Sequence, residues 1–89
     1  MKRKILIFIV TYQSSFRLMT IIKKLKKIRK NKDLYKILIS DDNSTDDTIN
    51  YIKKIQRFEK VNTILNKKNI GYGANIKQCL FYAIKRKFD

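Results

Sequence analysis

Three times along the chain, a short run of consecutive apolar residues leads into a polar turn, then into a stretch with apolar residues every three or four positions. The first run, Ile5-Leu6-Ile7-Phe8-Ile9-Val10, is continuous rather than alternating, which predicts a strand buried on both faces. Ser14 and Ser15 follow as N-cap candidates. Leu18, Ile21, Ile22, Leu25 and Ile28 then recur at helical spacing, with Lys23, Lys24, Lys27 and Lys30 on the opposite face. In the second unit the run Tyr35 to Ile39 precedes a stripe of Ile49, Ile52 and Ile55. Between them Ser44 and Asp47 have the spacing of a capping box, with an acid in place of the usual Glu or Gln. The third unit pairs Val61 to Leu65 with a stripe of Ile76, Leu80, Ala83 and Ile84.

Strand–helix units joined by short connections imply parallel strands and crossover helices. The expected fold is therefore α/β, a three-layer Rossmann-like parallel sheet built from three strand–helix units. No linker or low-complexity segment divides residues 1–89. A three-stranded sheet leaves an apolar edge that a further strand would cover, so the chain reads as the first part of a larger domain.

Composition narrows the function classes. Apolar residues make up 44% of the chain and Pro is absent, which fits a globular core rather than a disordered tail. Against 22 Lys and Arg stand 7 Asp and Glu, a net charge of +15. That balance favours acidic partners such as nucleic acid, anionic lipid or phosphorylated substrates, although many of these lysines read as solvated surface. Cys79 is the single cysteine and His is absent, so neither an intrachain disulfide nor a Cys/His zinc set can form. A reducing, cytoplasmic setting follows as the expectation, with peripheral contact to an anionic membrane as an accompanying one. Met1-Lys2-Arg3-Lys4 and the six apolar residues after it are too short for a signal peptide, and no small-residue cleavage site follows.

In parallel α/β sheets ligands sit at the carboxyl ends of the strands. Those ends present Thr11-Tyr12-Gln13, then Asp41-Asp42-Asn43-Ser44, then Asn66 through Asn75. The second end is densely acidic in an otherwise basic chain. Asp46 and Asp47 read as first-turn acids favoured by the helix dipole. A carboxylate at Asp41 or Asp42 can accept a hydrogen bond from a nucleobase N–H or a ribose hydroxyl. Two adjacent Asp without further ligands are a poor metal site. The only glycines, Gly71 and Gly73, suit a tight turn or a close backbone approach; they make neither a dinucleotide fingerprint nor a phosphate loop. Cys79 reads as core filling.

These same residues carry a family resemblance. Ile7-Phe8-Ile9-Val10-Thr11-Tyr12-Gln13 resembles the opening strand of family 2 glycosyltransferases, where apolar residues lead into Pro-Thr-Tyr-Asn. Ile39-Ser40-Asp41-Asp42-Asn43-Ser44-Thr45-Asp46-Asp47-Thr48 resembles the family's Val-Asp-Asp-Gly-Ser-Thr-Asp-x-Thr, and Asn69-Ile70-Gly71-Tyr72-Gly73-Ala74-Asn75 its Asn-x-Gly-x-x-x-Asn block. The last is most similar to the dolichyl- and polyprenyl-phosphate sugar transferase branch. The departures are Val10 for Pro, Gln13 for Asn, Asn43 for Gly and Cys79 for Gly.

The resemblance implies the nucleotide-binding part of a GT-A fold, with a UDP- or GDP-type nucleotide-sugar donor and a lipid or saccharide acceptor. It implies nucleotide contacts at Thr11, Tyr12, Asp41, Asp42, Gly71 and Asn75, with Asp42 as the acid that meets base or ribose. In the family an Asp-x-Asp motif on a further strand holds a divalent metal, Mg or Mn, and a catalytic base comes later still. Neither motif is present in these 89 residues, so the expectation is donor binding without a bound metal and without catalysis by this chain alone. Two other classes compete: a basic module for nucleic acid or an anionic surface, and a non-enzymatic α/β interaction domain. No RNA-binding signature supports the first, and no specific nucleic acid is expected.

Overall fold

The computed structural model describes residues 3–28 and 35–89, Ile28 by its backbone alone. Lys30, placed on the first helix above, lies outside the described residues. Strand β1 spans Ile5–Thr11, helix α1 Arg17–Ile28, β2 Tyr35–Asp41, α2 Thr48–Phe58, β3 Val61–Leu65 and α3 Tyr72–Lys85. The sheet order is β1-β2-β3, and both pairings are parallel. The α/β reading of three strand–helix units is the observed architecture.

Strand register decides which residues share a face. Ile7 lies opposite Ile37, Ile9 opposite Ile39 and Ile39 opposite Thr63. Ile37 and Ile39 join Leu18 and Ile22 of α1 and Ile52 and Ile55 of α2 in one buried cluster, with Ile9 and Val61 packed against it. Helices α1 and α2 therefore cover the odd-numbered face. The even-numbered face meets α3, as the hydrogen bond from Ser40 Oγ to Asn75 Oδ1 shows. Two helices, a sheet and a third helix make three layers.

Four expectations are corrected here. The first apolar run is only half-buried, because β1 is an edge strand; the strand buried on both faces is the central β2, where Ile37 to Asp41 are all buried. The stripe of α3 is also different. Leu80 and Ile84 are 47% and 71% exposed, and the helix instead buries Asn75 and Cys79. Finally, the Ser44–Asp47 capping box does not form. Asp47 is the N-cap residue but makes no side-chain cap, and the neighbouring Asp46 carboxylate accepts the Thr48 N–H at 2.9 Å. Ser15 likewise turns away from α1 and donates its hydroxyl to Asp47 Oδ1.

Candidate functional site

At the carboxyl end of the sheet the parallel ladder runs past the strands: Asp42 N–H donates to Thr11 O, and Asn66 N–H to Asp41 O, both at 2.9 Å. The pleat thus continues through the Asp-Asp pair. Successive side chains on a strand point to opposite faces, so the two carboxylates part company.

Asp41 is fully buried on the α1–α2 side. Its Oδ1 accepts the hydroxyls of Thr11 and Ser44, each at 2.6 Å, and its Oδ2 accepts the Ser44 N–H at 2.8 Å. This carboxylate ties the end of β1 to the turn after β2. It is not among the residues that line the cleft described below.

Asp42 turns the other way, toward the start of α3. Its Oδ1 accepts the Ile70 N–H at 2.8 Å and the Asn66 amide at 3.2 Å, while Oδ2 accepts the Gly71 N–H at 2.9 Å. Burial pushes this acid's pKa up, but the donors at Ile70, Asn66 and Gly71 outweigh it and hold the carboxyl below its ordinary value. The group stays ionised. Gly71 reaches Asp42 with φ 91° and ψ 157°, a backbone region open essentially to glycine alone. Three of the roughly four lone-pair sites of Asp42 are used, which leaves one acceptor site on Oδ2.

Beside Asp42 lies a cleft of about 260 Å³. Val10, Thr11 and Tyr12 form one wall, Asn69, Gly71, Tyr72 and Asn75 the other. Four of the residues expected to meet a ligand besides Asp42 are thus brought together: Thr11, Tyr12, Gly71 and Asn75. Thr11 and Asn75 are 3% and 2% exposed, and both are engaged: Thr11 on Asp41, Asn75 with Ser40 and Gln78. Tyr12 and Tyr72 are the accessible parts, 55% and 73% exposed. Sequence reasoning passed over Asn69 and Tyr72, although both lie inside the Asn69–Asn75 block. An aromatic next to the turn glycine was the available signal for Tyr72.

The family model that matches the chain is that of glycosyl transferase family 2, over residues 6–86. The chain belongs to that family. No curated protein matches it. The family match does not single out the dolichyl- or polyprenyl-phosphate branch. Among the described residues no group of three or more His, Cys, Asp or Glu is placed to hold a metal ion. The acids at this site of the glycosyltransferase chain do not fit one either. Asp41 and Asp42 face opposite sides of the sheet, and their oxygens carry the hydrogen bonds given above. No helix among the described residues is long and apolar enough to cross a membrane.

Proposed function

We propose that the cleft binds the nucleoside part of a UDP- or GDP-type nucleotide sugar, as the donor-binding part of glycosyl transfer to a lipid or saccharide acceptor. The observation that carries this reading is the Asp42 carboxylate, fixed by three donors with one acceptor site left, beside a cleft with two accessible tyrosines. Uracil and guanine present a ring N–H to such a fixed anionic acceptor. Cytosine and adenine present only an exocyclic amine, and the unprotonated ring nitrogen beside it turns a lone pair toward the carboxylate, which disfavours them. Tyr12 and Tyr72 offer flat apolar faces, and stacking of a base on an aromatic side chain is worth roughly 1–3 kcal/mol. The cleft volume falls below the roughly 300–1,000 Å³ of sites that enclose drug-sized ligands, so it fits a base with its ribose better than a whole nucleotide sugar. Glycosyl transfer also needs neutralisation of the diphosphate leaving group, for which the resemblance implies Mg or Mn. Since the acids here do not fit such an ion, nucleotide binding by this chain is expected to be indifferent to chelator, and the chain alone is expected not to catalyse transfer. A reducing, cytoplasmic setting with peripheral contact to anionic lipid belongs to the same reading and rests on the lone Cys79 and the charge of +15.

The test is a titration with UDP, GDP, CDP and ADP, followed by tyrosine fluorescence, with and without EDTA. UDP or GDP should bind more tightly than CDP and ADP, and EDTA should change nothing. Equal affinity for all four bases would remove Asp42 from base selection, and loss of binding in EDTA would require a metal that this reading excludes.

A further inference from the structure

The loop between β1 and α1 holds Gln13 at φ 53° and Ser15 at φ 48°. Left-handed backbone is uncommon for residues other than glycine and persists only where the surroundings enforce it. Here the enforcing contacts all come from one place, the turn between β2 and α2 together with the first residue of α2. The Gln13 N–H donates to Ser44 Oγ at 2.9 Å. The Gln13 side-chain carbonyl accepts the Thr45 N–H at 2.6 Å and the Asp46 N–H at 3.2 Å, while its amide donates to Thr45 Oγ1 at 3.0 Å. Ser15 repeats the pattern, its N–H on Thr48 Oγ1 and its hydroxyl on Asp47, both at 2.7 Å. Two loops adjacent at the sheet end are clasped together by Gln13, through its N–H and its side chain, and by Ser15, through its N–H and its hydroxyl.

Between the clasp and the sheet stands Tyr12. Its neighbour Thr11 is anchored on Asp41 and its neighbour Gln13 on residues 44–46, while the ring itself is half exposed at the cleft. Among the described residues the ring has no hydrogen-bond partner, and its place is set through the backbone on either side.

We propose that Gln13 is a positioning residue for the nucleotide cleft: by spanning to Thr45 and Asp46 it holds the β1–α1 loop in its left-handed course and so fixes Tyr12 as the wall against which a base stacks. The role rests on the nucleotide-binding reading above. It is also specific to chain length at this position. Asparagine is one methylene shorter and does not reach both N–H groups from the same backbone. Glutamate is isosteric: one oxygen accepts both N–H groups and the other accepts the Thr45 hydroxyl, which turns from acceptor to donor.

The experiment uses the 89-residue chain with UDP and GDP as probes, and reads three quantities for wild type, Gln13→Ala, Gln13→Asn and Gln13→Glu. These are nucleotide affinity, amide hydrogen exchange at Thr45 and Asp46, and the shift of the Tyr12 ring signals on ligand addition. Alanine and asparagine should weaken binding about tenfold, speed exchange at both amides and reduce the ligand-induced Tyr12 shift. Glutamate should restore all three to near wild type. Urea midpoints separate loss of fold from loss of position, and Ser15→Ala, which opens one contact of the same clasp, gives a milder version should Gln13→Ala not fold. Wild-type affinity in Gln13→Ala with fast exchange at Thr45 overturns the positioning role and leaves the nucleotide reading standing. Glutamate behaving like alanine overturns it as well. A wild-type chain that binds neither nucleotide overturns the nucleotide reading and the role that rests on it.

Discussion

Asp41 and Asp42 are neighbours in sequence and have unrelated roles, because a strand sends alternate side chains to opposite faces. The first is a brace and the second holds the cleft's acceptor site. The hydrogen bonds of Asp42 give it a structural share too, so its replacement acts on folding as well as binding. In Asp42→Asn one oxygen becomes an NH₂ that faces a backbone N–H, of Ile70 or Gly71. Leaving a buried donor unpaired costs about 1–3 kcal/mol, which a urea titration would read as a lower midpoint at unchanged slope. The pH dependence has a definite sign. The Asp42 pKa is lowered from an ordinary 3.8, so its contribution is present above that value and is lost as pH falls through the lowered one. Acid unfolding of the wild type should therefore show a limb as pH falls from 3.8 toward the lowered value, and Asp42→Asn should flatten it. The two glycines give a second residue-scale contrast. A Cβ at Gly71 or Gly73 meets nothing within 4 Å, so space does not distinguish them. Backbone does: Gly71 sits at φ 91° and Gly73 inside α3. Gly71→Ala should destabilise by about 1–3 kcal/mol, and Gly73→Ala should stabilise by up to about 1 kcal/mol. Equal thermal shifts in the two variants would remove conformation as the cause.

At the scale of elements, α2 shows how a helix start is rebuilt from its neighbours. Asp46 accepts both the N–H and the hydroxyl of Thr48, and these bonds lower the Asp46 pKa. Asp46→Ala should weaken the first turn of α2 and lower the melting temperature, yet change UDP affinity little, since the Asp46 side chain is outside the cleft and its N–H, which bonds Gln13, survives the substitution. A drop in affinity equal to that of Asp42→Asn would mean that the two acids act as one site. The elements themselves were legible in the sequence because their signal is periodic. Ile52 and Ile55 read as buried and are buried, at 0% and 2% exposure. The capping box does not form because Ser44 has a stronger partner in Asp41, three residues back, whose carboxylate accepts both its N–H and its hydroxyl. The α3 stripe was misread for a related reason. Its buried face is polar at the first turn, where Asn75 bonds Ser40 Oγ and Ser40 O and Gln78 reaches Asn66. A reading by hydrophobicity ranks Leu80 and Ile84 above Asn75, and hydrogen bonding between the helix and the end of the sheet reverses the order. At the cleft, Thr11, Tyr12, Asp42, Gly71 and Asn75 were placed together from motif position, while Tyr72 and Asn69 needed the turn geometry that the structure supplies.

The whole molecule separates its charges. Four of the seven acids lie between Asp41 and Asp47 at the carboxyl end of the sheet, and α1, α2 and α3 carry no Asp or Glu at all. Lys26 on Glu59 at 2.6 Å is one of the few pairings that the described basic residues make. A net +15 therefore gives a long-range field that draws any phosphate, whereas base contacts in the cleft act at hydrogen-bond distance. The two contributions respond differently to salt. The Debye length shrinks from about 30 Å at 0.01 M to about 3 Å at 1 M ionic strength, which removes the field and leaves the cleft. Uridine affinity should accordingly stay flat across that range. UDP should bind more tightly than uridine at low salt, and its advantage should decay as salt rises. The preference for UDP over CDP should survive at high salt, because a ring N–H on Asp42 is unscreened by distant ions. Single-stranded DNA is the control for the basic-module alternative, since polymer binding by counterion release falls with a slope of about −0.7 per phosphate contacted. If base preference vanishes with salt while DNA binds more tightly than UDP at low salt, the charge is the function and the cleft is incidental. If base preference persists after DNA binding has gone, the field only gathers ligands and Asp42 with its two tyrosines selects among them.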